Sequence, residues 1–307
     1  MIPSSQFSFT SADGLRISSA RWDARGEVRG IVQIAHGMGE HMGKYGETID
    51  ALTSSGLAVY ANDHRGHGHS VPSSQGFGEF GAGGFDLLVD DMVRLSQIAG
   101  RKDPEAPYFL LGHGMGSFAA QQLVLEHSSD IDGLILSGSG ALDSVAWATQ
   151  RAPSYRDMLN AQRDRARTLF DWLSRDEEVV DAFVSDPLCF AELKPAALQS
   201  FLDAAPRLAN PMALRKIRPN LPVYLFSGSD DPMGQRLEGV RTLIERYREA
   251  GLNDISHDFY PCGRNEMLNE INRAEVRARL LEWISEVLKL QEDRTNAKLN
   301  RIDLDVN

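Results

Sequence analysis

The sequence has few cysteines, no excess of positive charge and no long apolar run. Cys189 and Cys262 are the only cysteines, too few for a disulfide framework and without the paired spacing of a structural metal site. The formal net charge of −11 argues against a nucleic-acid partner, whose phosphates require a basic protein face. No stretch reaches the roughly 18 apolar residues of a membrane-spanning helix, and the N-terminus lacks the apolar run of a signal peptide. We therefore expect a cytoplasmic protein without stable membrane anchoring.

Apolar runs alternate with helical patterns along most of the chain. Asp13-Gly14 indicates a turn between two short N-terminal strands. Further buried strands are predicted within residues 30–37, 56–66, 108–112, 131–138, 221–228 and 256–263, and helices within 45–56, 116–127 and 273–290. Strands that alternate with helices predict an α/β fold with a mostly parallel central sheet flanked by helices.

One long interval interrupts this alternation. Residues 141–218 show helical periodicity and no convincing strand, and the interval is too long for a simple connection within the sheet. We predict that residues 1–140 and 219–290 form the core, and that residues 141–218 form a helical cap above the sheet. Residues 291–307 are polar and are predicted to be a frayed C-terminal tail.

Glycine-rich or polar loops follow five of the predicted strands. They read HGMGEHMGKY (36–45), DHRGHGHS (63–70), GHGMG (112–116), GSDDP (228–232) and GRNEMLNE (263–270). Ligands of open parallel sheets bind at the carboxyl ends of the strands, where these loops lie. Glycines in the first loop would let backbone N–H groups face a ligand without obstruction, as an oxyanion site requires.

Together with SRDEEVVDAFVSDPL (174–188), these motifs resemble the monoacylglycerol lipase and lysophospholipase branch of the serine α/β-hydrolases, the serine aminopeptidase-like hydrolases. The likeness runs over about residues 7–290, with the motifs in the family's order. It implies the α/β-hydrolase fold and acyl ester hydrolysis by a Ser-Asp-His triad, without a cofactor. Residue by residue, the nucleophile falls on Gly114, the acid on Asp231 and the histidine on Asn265.

Two of the three catalytic groups are therefore absent. Glycine has no side-chain atom that could attack an ester, and the asparagine amide cannot take up a proton at neutral pH. The resemblance implies an oxyanion hole formed by the backbone N–H groups of Met38 and Met115, which does not depend on their side chains. It also implies that His36, Gly37 and His113 contact the substrate.

Two classes of function fit this pattern. We favour a carboxylic-ester hydrolase scaffold that is inactive as written, because every motif around the substituted positions persists. The alternative is a natural non-hydrolytic relative that binds an acyl or other hydrophobic small molecule. A variant of this alternative is a reaction in which the oxyanion hole stabilises an enolate, with Asp231 as the proton acceptor.

The second glycine-rich loop contains residue types that could bind a metal ion. Asp63, His64, His67 and His69 are metal-ligating residue types, but alternate residues of a glycine turn rarely converge on one point. The segment also matches a structural loop of the resembling family. We therefore predict no metal here.

Four further positions have competing interpretations. Glycine at 114 also suits a strained turn, and Ser117 is expected to pack within its helix rather than to replace the nucleophile. Cys262 is expected to be a small buried residue at a strand end, and Asp231 matches the family's acid better than Asp230 does. Apolar residues of the cap that could hold an acyl chain, although most of them are predicted to be helix-packing residues, are Trp147, Phe170, Trp172, Leu173, Phe183 and Phe190.

Overall fold

An eight-stranded sheet forms the centre of the molecule. The computed structural model describes residues 1–71, 76–160 and 166–305, with side chains described through Asp293. The strands are β1 (Ser5–Thr10), β2 (Arg16–Trp22), β3 (Gly30–Ala35), β4 (Leu57–Asn62), β5 (Tyr108–His113), β6 (Gly133–Ser137), β7 (Val223–Gly228) and β8 (Ile255–Tyr260). Their spatial order is β1-β2-β4-β3-β5-β6-β7-β8.

The sheet is mostly parallel, as predicted. β1 and β2 form the expected antiparallel hairpin, β2 pairs antiparallel with β4, and the pairs from β4 to β8 are all parallel. Each predicted buried strand overlaps an observed one. Every residue of β3, β4, β5, β6 and β7 is buried, because helices cover both faces of the sheet.

Five helices flank the sheet. They are α1 (Gly46–Ser54), α2 (Gly84–Lys102), α3 (Met115–His127), α10 (Glu238–Glu249) and α11 (Arg273–Asp305). Helices α4 to α9 lie in the chain between β6 and β7. The predicted apolar face of α11 is confirmed, since Val276, Leu280, Trp283, Ile284 and Val287 are buried. The predicted end of this helix at residue 290 is wrong. No glycine or proline interrupts residues 291–305, so the backbone stays helical to Asp305.

The described chain between β6 and β7 contains six helices and no strand, with turns and irregular segments between the helices. Its helices are α4 (Leu142–Thr149), α5 (Tyr155–Asn160), α6 (Glu177–Ser185), α7 (Pro195–Leu202), α8 (Ala205–Leu208) and α9 (Pro211–Leu214). Residues 161–165 of this interval lie outside the described residues, as do the side chains beyond Asp293 in the predicted tail. We call residues 141–218 the helical insertion. No helix in the described parts of the chain is both long and apolar enough to span a bilayer.

The start of α3 rests directly on the end of β3. A Cβ atom on Gly116 would lie 2.2 Å from the carbonyl oxygen of Ala35 and 2.5 Å from that of His36. A Cβ atom on Gly112 would lie 2.6 Å from the carbonyl oxygen of Gly116. Both distances are far below van der Waals contact, so only glycine permits this backbone approach. The contact sets the distance between the loop after β3 and the first turn of α3.

Replacing Gly116 tests this contact. We expect Gly116→Ala to lower the free energy of unfolding by about 1–3 kcal/mol, because α3 must move away from backbone atoms that cannot yield. Gly100→Ala is the matched control, since a Cβ there meets nothing within 4 Å in α2. The control should raise the unfolding free energy by about 0.5–1 kcal/mol. Urea unfolding measures both, and equal stability of Gly116→Ala and the wild type would contradict the argument.

Candidate active site

A small cavity lies between the carboxyl ends of the strands and the helical insertion. Its sheet side is formed by Gly37, Met38, Glu40, His113, Gly114, Met115, Met233, Asn265 and Glu266, and its insertion side by Tyr155, Leu159, Phe170, Trp172, Leu173, Phe183, Phe190 and Ala191. The cavity volume is about 30 Å³, which is room for one or two water molecules. A longer ligand can enter only if side chains of the insertion move apart.

The six apolar residues of the insertion that could hold an acyl chain differ in their position relative to the cavity. Five of the six line the cavity, and Phe170 also packs on Phe183 with ring centroids 4.9 Å apart. Trp147 does not, because it is 57% exposed and stacks under the guanidinium of Arg151 at 3.6 Å. The sequence pattern could not separate these positions, since all six are apolar residues of the same interval.

Gly114 occupies the sharp turn between β5 and α3. Its φ of 51° and ψ of −123° lie in a region that residues with a side chain rarely adopt. A Cβ atom at this position would meet only the Cα of Gly37, at an ordinary 3.4 Å. A side chain at 114 therefore fits the available space, at a backbone strain of roughly 1–3 kcal/mol.

Asn265 and Asp231 form a buried hydrogen-bonded pair. The Nδ2 of Asn265 donates to Oδ1 of Asp231 at 3.0 Å, and the backbone N–H of Met233 donates to the same oxygen at 2.9 Å. The other carboxylate oxygen is buried and has no partner among the described residues. Burial raises the pKa of Asp231 to about 6, although both hydrogen bonds oppose the shift. The pair therefore fixes an amide, rather than a proton acceptor, at the edge of the cavity.

Two residues that line the cavity have backbone N–H groups without an acceptor among the described residues. Met38 and Met115 line the cavity from different loops, and neither N–H has an acceptor within the described residues. Met115 is the first residue of α3, where N–H groups have no partner inside the helix and the helix dipole is positive. The loop of Met38 is fixed by the Glu40 carboxylate, which accepts from the N–H of Gly37 and, at 2.6 Å, from the Tyr45 hydroxyl.

The three predicted substrate-contacting residues separate into two groups. Gly37 and His113 line the cavity. His36 lies behind the cavity wall, where its Nδ1 bonds the carbonyl of Gly37 at 2.8 Å and its Nε2 accepts from the N–H of His64 at 2.9 Å. The structure therefore places His36 as a support for the loop after β3 instead of a ligand contact.

His64 and His67 of the second glycine-rich loop are buried packing residues, whereas His69 is exposed. The ring of His36 lies 4.2 Å from that of His64 and 5.2 Å from that of His67. Burial lowers the pKa of His64 to about 3 and that of His67 to about 4, and it also lowers the pKa of His36. Asp63 does not join them, because its carboxylate accepts from the backbone N–H groups of Met42 and His69.

A different set of potential metal ligands was not anticipated. In the described parts of the chain, His41, Asp186 and Cys189 are the one group whose ligand atoms all lie within 4.8 Å of one another. The Nε2 of His41 is 2.9 Å from Oδ2 of Asp186, while its Nδ1 accepts from the N–H of Gly43 at 3.2 Å. The proton therefore belongs on Nε2, and burial raises the pKa of the Cys189 thiol to about 12. Both features favour a hydrogen-bonded cluster over a metal site.

A buried lysine beside the cavity was also missed. The Nζ of Lys44 lies 4.7 Å from the ring centroid of Phe183 and 3.9 Å from Oε1 of Glu266. Burial lowers the pKa of Lys44, but Glu266 and Glu40 outweigh it and the net shift is upward. The lysine thus stays charged and partly balances two carboxylates. No motif in the sequence marks Lys44, because it lies at the end of a loop whose recognisable residues are glycines and histidines.

The loop that carries Asn265 is fastened to the helical insertion. The guanidinium of Arg264 donates to the carbonyl of Ser174 at 2.6 Å. The backbone N–H of Glu266 donates to the carbonyl of Leu173 at 2.8 Å. These bonds flank Asn265 on both sides, so the position of its side chain depends on that of the insertion.

The remaining alternatives are decided by local contacts. Ser117 is buried and its hydroxyl donates to the carbonyl of Gly114 at 2.6 Å, so it packs in α3. Asp230 is exposed, whereas Asp231 is buried against Asn265. The expectation that Cys262 is buried is wrong, because it is exposed in a turn with a φ of 58°.

Comparison with known proteins identifies the family. The chain matches the family described as "Serine aminopeptidase, S33" over residues 26–272. It belongs to that hydrolase family. A monoacylglycerol lipase from Mycolicibacterium smegmatis is 29% identical over 282 residues, which cover 91% of this chain and 96% of the relative. A monoglyceride lipase from Homo sapiens is 30% identical over 274 residues, which cover 85% of this chain and 87% of the relative.

Solved structures agree with this placement. A thermostable carboxyl esterase from Bacillus coagulans, solved in complex with glycerol, superposes with a TM-score of 0.84 and 27% sequence identity. The superposition covers 94% of this S33 hydrolase and 100% of the esterase. The α/β-hydrolase fold and the monoacylglycerol lipase-like branch predicted from the motifs are therefore confirmed.

The buried histidines predict acid sensitivity. Between pH 6.5 and about 4, unfolded histidines bind protons that the folded protein cannot accept, so stability falls as the pH falls. Three such histidines contribute about 4 kcal/mol per pH unit, and the raised pKa of Asp231 offsets about one of them below pH 6. We expect His67→Leu to reduce the dependence of the unfolding free energy on pH by about 1.4 kcal/mol per pH unit, which is the contribution of one proton.

Urea unfolding at a series of pH values measures that slope. His69→Gln is the control, because this histidine of the same loop is exposed, and it should leave the slope unchanged. An identical slope in His67→Leu and the wild type would show that His67 does not contribute.

Proposed function

We propose that this chain is an acyl-ester hydrolase scaffold of the monoacylglycerol lipase type that binds its ligand without hydrolysing it. The observation that carries the proposal is the pair at the site. The Asn265 amide occupies the place beside Asp231 where a histidine would stand, and Gly114 offers no nucleophile at the turn between β5 and α3.

The class of ligand is inferred from the lining and from the relatives. Aromatic side chains of the insertion face the unpaired N–H groups of Met38 and Met115, which suits an acyl chain ending in a carbonyl group. The relatives named above are monoacylglycerol and monoglyceride lipases. A monoacylglycerol or a short acyl ester is therefore the first ligand to test.

The missing groups act at consecutive steps of ester hydrolysis. A serine oxygen would attack the carbonyl carbon while histidine removes its proton, and the same histidine would then protonate the leaving alcohol. Gly114 supplies no oxygen for the attack, and Asn265 supplies no base for the proton transfer. In a well-studied serine hydrolase, removal of such a triad lowers turnover about a millionfold, so we expect hydrolysis near the background rate.

A reaction that uses Asp231 as a proton acceptor has less support. Asp231 is fully buried and does not line the cavity. The Asn265 amide lies against its Oδ1, and the unpartnered Oδ2 is inaccessible. A ligand in the cavity could not transfer a proton to this carboxylate without displacing Asn265. Binding without chemistry is the alternative that the geometry favours.

The double variant Gly114→Ser with Asn265→His tests the proposal. We expect it to hydrolyse 1-monoacylglycerols and p-nitrophenyl butyrate at least a thousandfold faster than the wild type, because nucleophile and base act as a unit. Each single variant should stay close to the wild type. Adding Asp231→Asn to the double variant is the control and should return its turnover close to the wild-type rate, because the histidine then loses the group that orients it.

Two results would contradict the proposal. One is a wild-type protein that turns over either ester at the rate of the double variant. The other is a double variant that is folded by circular dichroism and bound to ligand but inert.

A further inference from the structure

We propose that the ligand this cavity retains best is a free carboxylic acid, bound as its carboxylate, rather than an ester. The inference rests on the proposed function, because it assumes that an acyl ligand is held and not hydrolysed. It names the chemical group at the reacting end of that ligand. Four observations support it.

The first observation is the empty side-chain position at Gly114. In a serine hydrolase the nucleophile's oxygen lies next to the carbonyl carbon of the ligand. Here a Cβ would have one neighbour within 4 Å outside its own chain neighbours, the Cα of Gly37. The cavity above it holds about 30 Å³. A second ligand oxygen can therefore occupy the place of the serine oxygen.

The second observation is a pair of donors on two different elements. Met38 and Met115 both line the cavity, and neither backbone N–H group has an acceptor among the described residues. Met115 opens the thirteen-residue helix α3, whose dipole favours a negative charge at this end. One carboxylate oxygen would be held here by hydrogen bonds that a negative charge strengthens.

The third observation is His113, which is 5% exposed and lines the cavity. Its Nδ1 lies 3.2 Å from the Ser137 hydroxyl, and its Nε2 has no partner within the described residues. If the hydroxyl donates to Nδ1, the ring proton is on Nε2. The ring lies between two loops, with Cδ2 3.1 Å from a Cβ built on Gly37 and Cε1 2.8 Å from one built on Gly138. It can thus donate to the second carboxylate oxygen.

The fourth observation concerns the negative charges nearby. The Glu40 carboxylate is occupied by the Gly37 N–H and the Tyr45 hydroxyl. Oε2 of Glu266 accepts from Asn269 at 2.9 Å, and its other oxygen faces the charged Lys44. Asp231 does not line the cavity. Glu40 and Glu266 both line the cavity, and Lys44 partly balances their charges, although Oε1 of Glu266 has no hydrogen-bond partner among the described residues. The N–H groups of Met38 and Met115 are the donors that remain without an acceptor there.

An ester cannot use these groups equally well. It presents one carbonyl oxygen and one weakly accepting ester oxygen, and neither has a full charge. A carboxylate presents two charged oxygens, one for the backbone pair and one for His113. We therefore expect a preference of tenfold or more for the acid over an ester with the same chain.

Calorimetric titration of the full chain with sodium octanoate and with 1-monooctanoylglycerol, both below their micelle concentrations, tests the preference. We expect octanoate to bind at least tenfold more tightly. Gly114→Ala fills the place of the second oxygen, so it should weaken octanoate at least tenfold and the ester no more than threefold. His113→Leu should weaken octanoate similarly, and it does not disturb the backbone at 114. Gly100→Ala is the control and should bind both ligands as the wild type does.

Each outcome has a distinct meaning. Tight octanoate binding that both Gly114→Ala and His113→Leu weaken selectively supports the inference. Equal or tighter binding of the ester overturns the inference and leaves the proposed function standing. Binding of neither ligand, or release of octanoate from the ester during the titration, contradicts the proposed function and the inference with it.

Discussion

The backbone of α3 touches the backbone at the end of β3, and the site depends on that contact. Any side chain at Gly112 or Gly116 would overlap main-chain oxygen atoms, so the approach is available to glycine alone. It brings the N-terminus of the helix beside the loop after β3. Two N–H groups from distant parts of the sequence are thereby placed at the same cavity without the help of any catalytic side chain.

Binding and chemistry are therefore carried by different parts of the chain. The donors that would hold a carbonyl or a carboxylate belong to the backbone, and they persist whatever residue stands at 114. The chemistry of hydrolysis belongs to side chains, and under the proposed function Gly114 and Asn265 do not supply it. The Asn265 amide still satisfies one oxygen of Asp231, which limits the cost of burying that carboxylate. Under the proposed function, the chain keeps the fold and the backbone donors of a hydrolase without its reaction.

Much of this arrangement follows from the sequence. Continuous apolar runs identify the fully buried strands, and the period of Val276, Leu280, Trp283 and Val287 identifies the buried face of α11. The positions of Gly114, Asp231 and Asn265 follow from ordered motifs rather than from composition. The strands and the buried face of α11 depend on local periodicity, which a single sequence shows. The three site positions come from the resemblance to the serine α/β-hydrolases.

Other features depend on contacts that no local pattern contains. His36 and His113 look alike as loop histidines, yet one is locked behind the wall and the other faces the cavity. Trp147 belongs to the same interval as the cavity aromatics, yet it is 57% exposed and does not line the cavity. The cluster of His41, Asp186 and Cys189 joins residues about 145 positions apart. The continuation of α11 to Asp305 depends on the absence of glycine and proline after residue 290. The predicted tail rested on the polarity of these residues, which does not decide whether a helix ends.

The bonds from Arg264 and Glu266 to the helical insertion have a kinetic consequence. The cavity is too small for an acyl chain as it stands, so a ligand must displace the insertion while those bonds hold the insertion to the loop of Asn265. Exchange would then be limited by the opening of the protein rather than by diffusion of the ligand. A molecule held in this way would have a long residence time even at modest affinity, which suits retention better than turnover.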